Sequence, residues 1–172
     1  MKNLTLRDMT QIALVAAIYV VLTAMPPLNA ISYGAYQFRI SEMMNFLAFY
    51  NRKYIIGVTL GCMIANAISP QSLGLIDVIV GGGSTLVFLT LGVLFFEKYC
   101  HSYLFKGLIN KGFFFFSLFF AASMVTIAWE LHVILKLPFL LTWFTTAVGE
   151  LASLLVGAIV VDKLARYINF KQ

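Results

Sequence analysis

Charge is what this chain has least of. Of its 172 residues 11% are charged, against roughly 25% in soluble globular domains, and 61% are hydrophobic. That balance excludes an ordinary water-soluble fold. Histidine and cysteine are scarce too, at two each, too few for a metal centre. Cys62 and Cys100 fall at different depths of their apolar runs, so they are poorly placed for a disulfide and read as packing residues. No G-x-x-x-x-G-K-[ST] loop is present, so ATP has no Walker site here. HExxH and GxSxG are also missing, and Glu130 and His132, two apart, point to different sides of a helix. Neither an enzyme nor a cofactor is expected. With four prolines and no Pro/Ser-rich linker, residues 1–172 read as a single transmembrane domain.

What the chain does have is long apolar runs, near 8–26, 38–50, 54–70, 75–97, 112–135 and 141–165. Ten of the twelve Lys and Arg residues lie at the N-terminus, the second and fourth connections and the C-terminus; Arg39 and Lys136 alone belong to the other side. Cytoplasmic loops are enriched in Lys and Arg, which predicts an all-α integral membrane protein of six spans with both termini inside. The net charge of +5 therefore reads as an orientation signal beside the bilayer and not as a nucleic-acid surface. The first run ends in Met25-Pro26-Pro27 without an A-x-A-like cleavage site, so it reads as a retained helix. The second helix is short, and it follows an uncharged outer loop over 28–37 that contains Gly34.

Polar residues recur at helical spacing within the spans. Cys62, Asn66 and Ser69 share a face, as do Asp77, Gly81 and Ser84, then Thr126 and Glu130, then Thr146, Glu150 and Ser153. Four of the seven acids, Glu42, Asp77, Glu130 and Glu150, map to the outer half of the membrane. An ionised side chain at the bilayer centre costs about 2.5–3.5 kcal/mol, so intramembrane acids face the bundle interior and mark sites or pathways. These four predict a polar pocket open to the outside, with Arg39 as an ion-pair partner or ligand contact. A carboxylate accepts two parallel N–H bonds, the geometry offered by a guanidinium or by the edge of a guanine-like base. Asn66 or Gln37 would reach a carbonyl, and Trp129, Trp143, Tyr33 and Tyr36 would stack on a flat ring or anchor at the membrane interface.

Small residues form two further stripes. Ala13, Ala16 and Ala17 lie on the inner half of the first span, and Gly57 and Gly61 make a GxxxG in the third. Such stripes let helices approach closely, within the chain or across an interface. Gly81-Gly82-Gly83 reads as room for a close neighbour or a kink.

Phe38-Arg39-Ile40-Ser41-Glu42, Gly61 to Pro70 with Asn66 within it, Leu75 to Gly81 around Asp77, and Gly149-Glu150-Leu151 together resemble the QueT family over nearly the whole chain. The resemblance implies a six-helix S-component bundle, the substrate-binding subunit of an energy-coupling-factor (ECF) transporter. It also implies a coupling transmembrane subunit and two ATPase subunits in trans, with a deazaguanine queuosine precursor as ligand. Ala13-x-x-x-Ala17 resembles the motif by which S-components meet the coupling subunit. Two alternatives stay open, an S-component for another vitamin or nucleobase and a stand-alone proton-coupled small-solute transporter.

Overall fold

The structure, a computed structural model, describes residues 4–33, 37–70 and 72–170. Gly34 and Tyr36 lie outside the described residues. Helix α1, Leu6–Ala24, opens with a capping box: Thr5 Oγ1 accepts the Asp8 N–H, and the Asp8 carboxylate accepts the Thr5 N–H. It stops before Pro26-Pro27, a pair with no N–H to offer. The expected outer loop contains a short helix, α2 (Leu28–Ser32). There follow α3 (Tyr54–Ala67), α4 (Leu75–Phe96), α5 (Lys111–Ala122), α6 (Val125–Leu135) and α7 (Phe139–Leu164). A two-residue ladder pairs β1 (Tyr103–Leu104) with β2 (Ile109–Asn110) in the fourth connection. Four stretches are long and apolar enough to cross a membrane: Leu6–Ala24, Leu75–Tyr99, Lys111–Leu135 and Phe139–Leu164. Large apolar side chains stand exposed along them, among them Leu140, Phe144 and Ile79, a pattern that suits lipid and not water. The chain is an all-α membrane protein.

Two expected spans differ in kind. The second is a 3₁₀ helix over Ile40–Phe49 preceded by non-helical 37–39. At about 2.0 Å per residue its ten residues cover roughly 20 Å, against roughly 15 Å for an α-helix of the same length. Side chains at i and i+3 eclipse in a 3₁₀ helix, which stacks Glu42 over Asn45. The fifth span is broken at Ser123 and Met124 into α5 and α6. Carbonyls freed by the break are taken by side chains: Ser123 Oγ donates to Phe120 O at 2.6 Å, Thr126 Oγ1 to Ser123 O at 3.0 Å, and Trp143 Nε1 to Ala122 O at 3.1 Å. Broken helices persist at membrane depth only with such replacements.

Helices α1 and α3 pack through Gly57 and Gly61. A Cβ at Gly57 would meet Ile12 O at 2.9 Å, and one at Gly61 would meet Tyr19 Cβ at 2.7 Å, so the GxxxG is an internal contact. Ala16 belongs to the same contact. It is 7% exposed, and its carbonyl lies 3.1 Å from the Gly61 Cβ position. Ala13 and Ala17 do face outward. Below them Phe46, Phe113 and Phe116 fill the core, Phe46 and Phe113 with ring centroids 4.5 Å apart.

The basic residues gather at one end. Lys53 pairs with Asp8 at 2.7 Å and Arg52 with Glu97 at 2.9 Å. Tyr103 Oη donates to Asp162 Oδ1 at 3.1 Å, and Arg166 pairs with Asp162 at 3.3 Å. The starts of α1 and α3 and the ends of α4 and α7 therefore share this end. Gln37, Arg39 and the first turn of α4 lie toward the opposite one.

Candidate functional site

The polar stripes meet inside the half of the bundle away from the basic end. Gln37 and Arg39 from the non-helical segment, Glu42 from the 3₁₀ helix, Cys62 from α3, Ser84 and Thr85 from α4, Ser123 from the helix break and Glu150 from α7 surround one cavity of about 20 Å³. That volume holds about one water, so a two-ring base enters only if side chains or the 37–39 segment move. Ser153 Oγ donates to the Arg39 carbonyl of this segment. Gln37 sits at φ 44°, a left-handed conformation that costs a non-glycine residue about 1 kcal/mol or more.

Glu42 and Glu150 are 3% and 2% exposed, yet their partners differ. Glu42 accepts from Tyr19 Oη and, at 2.7 Å, from Asn45 Nδ2. Behind Tyr19, Thr23 Oγ1 donates to Ser41 Oγ at 2.6 Å, tying α1 to the start of the 3₁₀ helix. Among the described residues Glu150 Oε1 has no hydrogen-bond partner. Arg39 reaches Ser32 O from Nε at 3.4 Å and lies 5.8 Å over the Tyr33 ring; among the described residues it forms no ion pair with either acid. One carboxylate is thus fixed by the protein and the other retains a free acceptor beside a cation. Together they offer what a planar donor edge with an adjacent carbonyl needs.

The remaining expected residues lie elsewhere. Asn66 is buried above Gly81 and donates from Nδ2 to Asp77 O at 3.4 Å. Glu130 is 2% exposed with both oxygens unpartnered among the described residues, and neither it nor half-buried Asp77 lines the cavity. Trp129 is 59% exposed and borders an apolar cleft of about 450 Å³ between α4, α6 and Phe139 at the start of α7. Trp143 commits its indole N–H to Ala122 O and stacks on Phe139 at 6.4 Å, bracing the helix break. Sequence reasoning missed Tyr19 and assigned Cys62 to packing, whereas Cys62 lines the cavity and receives Thr85 Oγ1 at 3.4 Å. The signal was present: Tyr19 and Thr23 lie four apart on an otherwise apolar helix, and Cys62 lies four before Asn66.

A buried, acid-bearing cavity inside a membrane bundle fits several transporter classes, and likeness to known proteins narrows them. Residues 9–166 match the model of the family described as "QueT transporter". The chain belongs to the QueT transporter family. A relative from Lactococcus lactis subsp. cremoris (strain MG1363), described as "Queuosine precursor transporter QueT", is 55% identical over 172 residues, covering 100% of both chains. No solved structure matches. The family is one of transporters, so the chain is a membrane transport protein and not an enzyme. The matched stretch of the QueT family includes every residue around the cavity.

Proposed function

We propose that this protein is the substrate-capture subunit of an ECF-type importer, binding a queuosine precursor, a deazaguanine such as the aminomethyl or cyano form, or queuine. Six crossings with both termini cytoplasmic satisfy the basic end of the bundle, because that end then faces the side where Lys and Arg accumulate. The ligand enters from the opposite, acid-bearing end. Lacking an ATP site, the chain draws its energy from a coupling subunit and two ATPases in trans, and the outward face around Ala13 and Ala17 is where the coupling subunit docks.

The observation that supports ligand capture most directly is the unpartnered Glu150 Oε1 at 2% residue exposure beside Arg39. Glu150 reads the N–H pair of the base, Arg39 or Gln37 meets its carbonyl, and Glu42, held by Tyr19 and Asn45, shapes the cavity. A charge-assisted hydrogen bond contributes about 1.5–3 kcal/mol, so Glu150→Gln weakens binding by roughly tenfold to a hundredfold. Its apo melting temperature stays near wild type, since Oε1 has no protein partner to lose. Glu42→Gln, in contrast, lowers apo melting by turning one acceptor into a donor facing a donor. Calorimetric titration with aminomethyl and cyano deazaguanines, alongside apo melting, tests both; wild-type affinity in Glu150→Gln removes that carboxylate from the site. A self-contained proton-coupled transporter is favoured by one observation, the unpartnered acids on two helices. Uptake that survives ATP depletion but stops on collapse of the proton gradient would establish that reading instead.

A further inference from the structure

The outer parts of α4 and α6 carry polar residues that the cavity does not use, and their register places them. Ser84 Oγ donates to Thr126 Oγ1 at 2.9 Å, which fixes one rung between these antiparallel helices. On α4, Gly81 and Asp77 precede Ser84 by three and seven residues on the same stripe; on α6, Glu130 follows Thr126 by four. Moving outward from the rung, Glu130 comes level with Gly81 and about one turn below Asp77. Gly81 leaves room there for Asn66, whose amide nitrogen a Cβ would strike and which donates to Asp77 O at 3.4 Å. Asn66, Asp77 and Glu130 therefore converge between α3, α4 and α6.

All three present acceptors. Among the described residues Glu130, 2% exposed, has neither oxygen partnered, and the Asn66 Oδ1, on a residue equally buried, is unpartnered as well. Among the described residues no Lys or Arg forms an ion pair with Asp77 or Glu130. A buried carboxylate without donors is costly, and a neutral amide oxygen left without a donor beside it is a separate sign that a donor comes from outside the chain. The group that fits is a compact cation with N–H bonds in three directions, a primary ammonium.

We infer that Asn66, Asp77 and Glu130 form a second subsite, apart from the Glu42–Glu150 cavity, that takes the alkylammonium arm of the transported base. The inference rests on the reading of the chain as a queuosine-precursor binder. Its test is calorimetric titration with two deazaguanines of the same ring, one bearing a protonated aminomethyl group and the other a neutral nitrile. Glu130→Gln weakens the aminomethyl ligand by about tenfold to a hundredfold and leaves the nitrile within about twofold of wild type. Asp77→Asn, on a half-buried residue, shows the same selectivity and guards against misfolding of the first variant. Equal losses for both ligands, or no loss for the aminomethyl one, overturn the subsite. Should wild type bind neither base, the ligand class proposed above fails, and melting in methylammonium, sodium or choline chloride decides the subsite. A methylammonium-specific rise that Glu130→Gln abolishes supports it; no rise, or one shared with sodium, overturns it.

Discussion

Gly61→Ala tests whether the α1–α3 contact sets the geometry of the cavity. The added Cβ would lie 2.7 Å from Tyr19 Cβ, 3.0 Å from Tyr19 Cγ and 3.1 Å from Ala16 O. Unbonded carbons rest at about 3.5–4.0 Å, so either the helices part or Tyr19 shifts by about 1 Å. Tyr19 is fully buried. Overpacking of this kind costs about 1–3 kcal/mol. Displacing the Tyr19 hydroxyl from Glu42 forfeits part of a bond that contributes about 1.5–3 kcal/mol. The expected total is roughly 2–4 kcal/mol, or about 5–15 °C in melting temperature for a chain of this size.

Gly57→Ala is the control. Its Cβ would meet Ile12 O at 2.9 Å and Val15 Cγ1 at 3.1 Å, neither of them a cavity residue. Both variants melt earlier in detergent, but only Gly61→Ala loses ligand affinity. Tyr19→Phe completes a double-mutant cycle: if Gly61→Ala acts partly through the hydroxyl, the double variant loses less than the sum by about 1 kcal/mol or more. Melting of Gly61→Ala within about 2 °C of wild type would refute the packing estimate. Strict additivity with Tyr19→Phe, or equal affinity loss in Gly57→Ala, would refute the link to the cavity.

Two other outcomes follow from the basic half of the molecule. Ala17→Trp adds bulk on the outward face of α1, so under the proposed ECF assembly it blocks copurification with a coupling subunit while ligand affinity stays at wild type; an unchanged complex excludes that face from docking. Burial pushes the Cys100 thiol up to about 12, with Glu97 and Asp162 adding to the shift. Its maleimide labelling is therefore slow at pH 8 and keeps rising about tenfold per pH unit through pH 10, whereas a rate that levels off near pH 9 would show an ordinary thiol.

The features that periodicity governs were legible in the sequence. Apolar runs located the long helices, and stripes at i, i+4 and i+7 put Glu150, Ser153, Asn66 and Gly81 on inward faces. What periodicity does not encode was not legible. Ser123-Met124 carries no proline or glycine to announce a break; the break is held by Trp143, twenty-one residues beyond Ala122 in the chain. The 3₁₀ winding of Ile40–Phe49 is likewise tied to distant groups, since Ser153 holds the Arg39 carbonyl and Gly157 lets α7 approach Met43, whose Cα lies 2.7 Å from the Cβ position there. Trp129 and Trp143 read as ring stackers or as membrane-interface anchors alike, because composition cannot tell an aromatic facing the bilayer, or bracing a helix end, from one facing a ligand.

The irregular backbone and the unpartnered acids occur in one region of the bundle, and a single physical cause connects them. The non-helical 37–39 segment with its left-handed Gln37, the α5–α6 break and the 3₁₀ start at Ile40 all border or adjoin the Glu42–Glu150 cavity. In a bilayer each of these is more costly than continuous α-helix, because main-chain groups freed from the helical pattern need other partners. A bundle selected for stability alone would have closed them. Here several replacement partners are side chains that also shape the site: Ser123 caps the break and lines the cavity, and Ser153 anchors Arg39 one turn from Glu150. Anything that fills the cavity must therefore work against these same ties, so ligand affinity and the order of the 37–39 segment are coupled. Ser153→Ala, which cuts one tie without touching an acid, changes both together or neither.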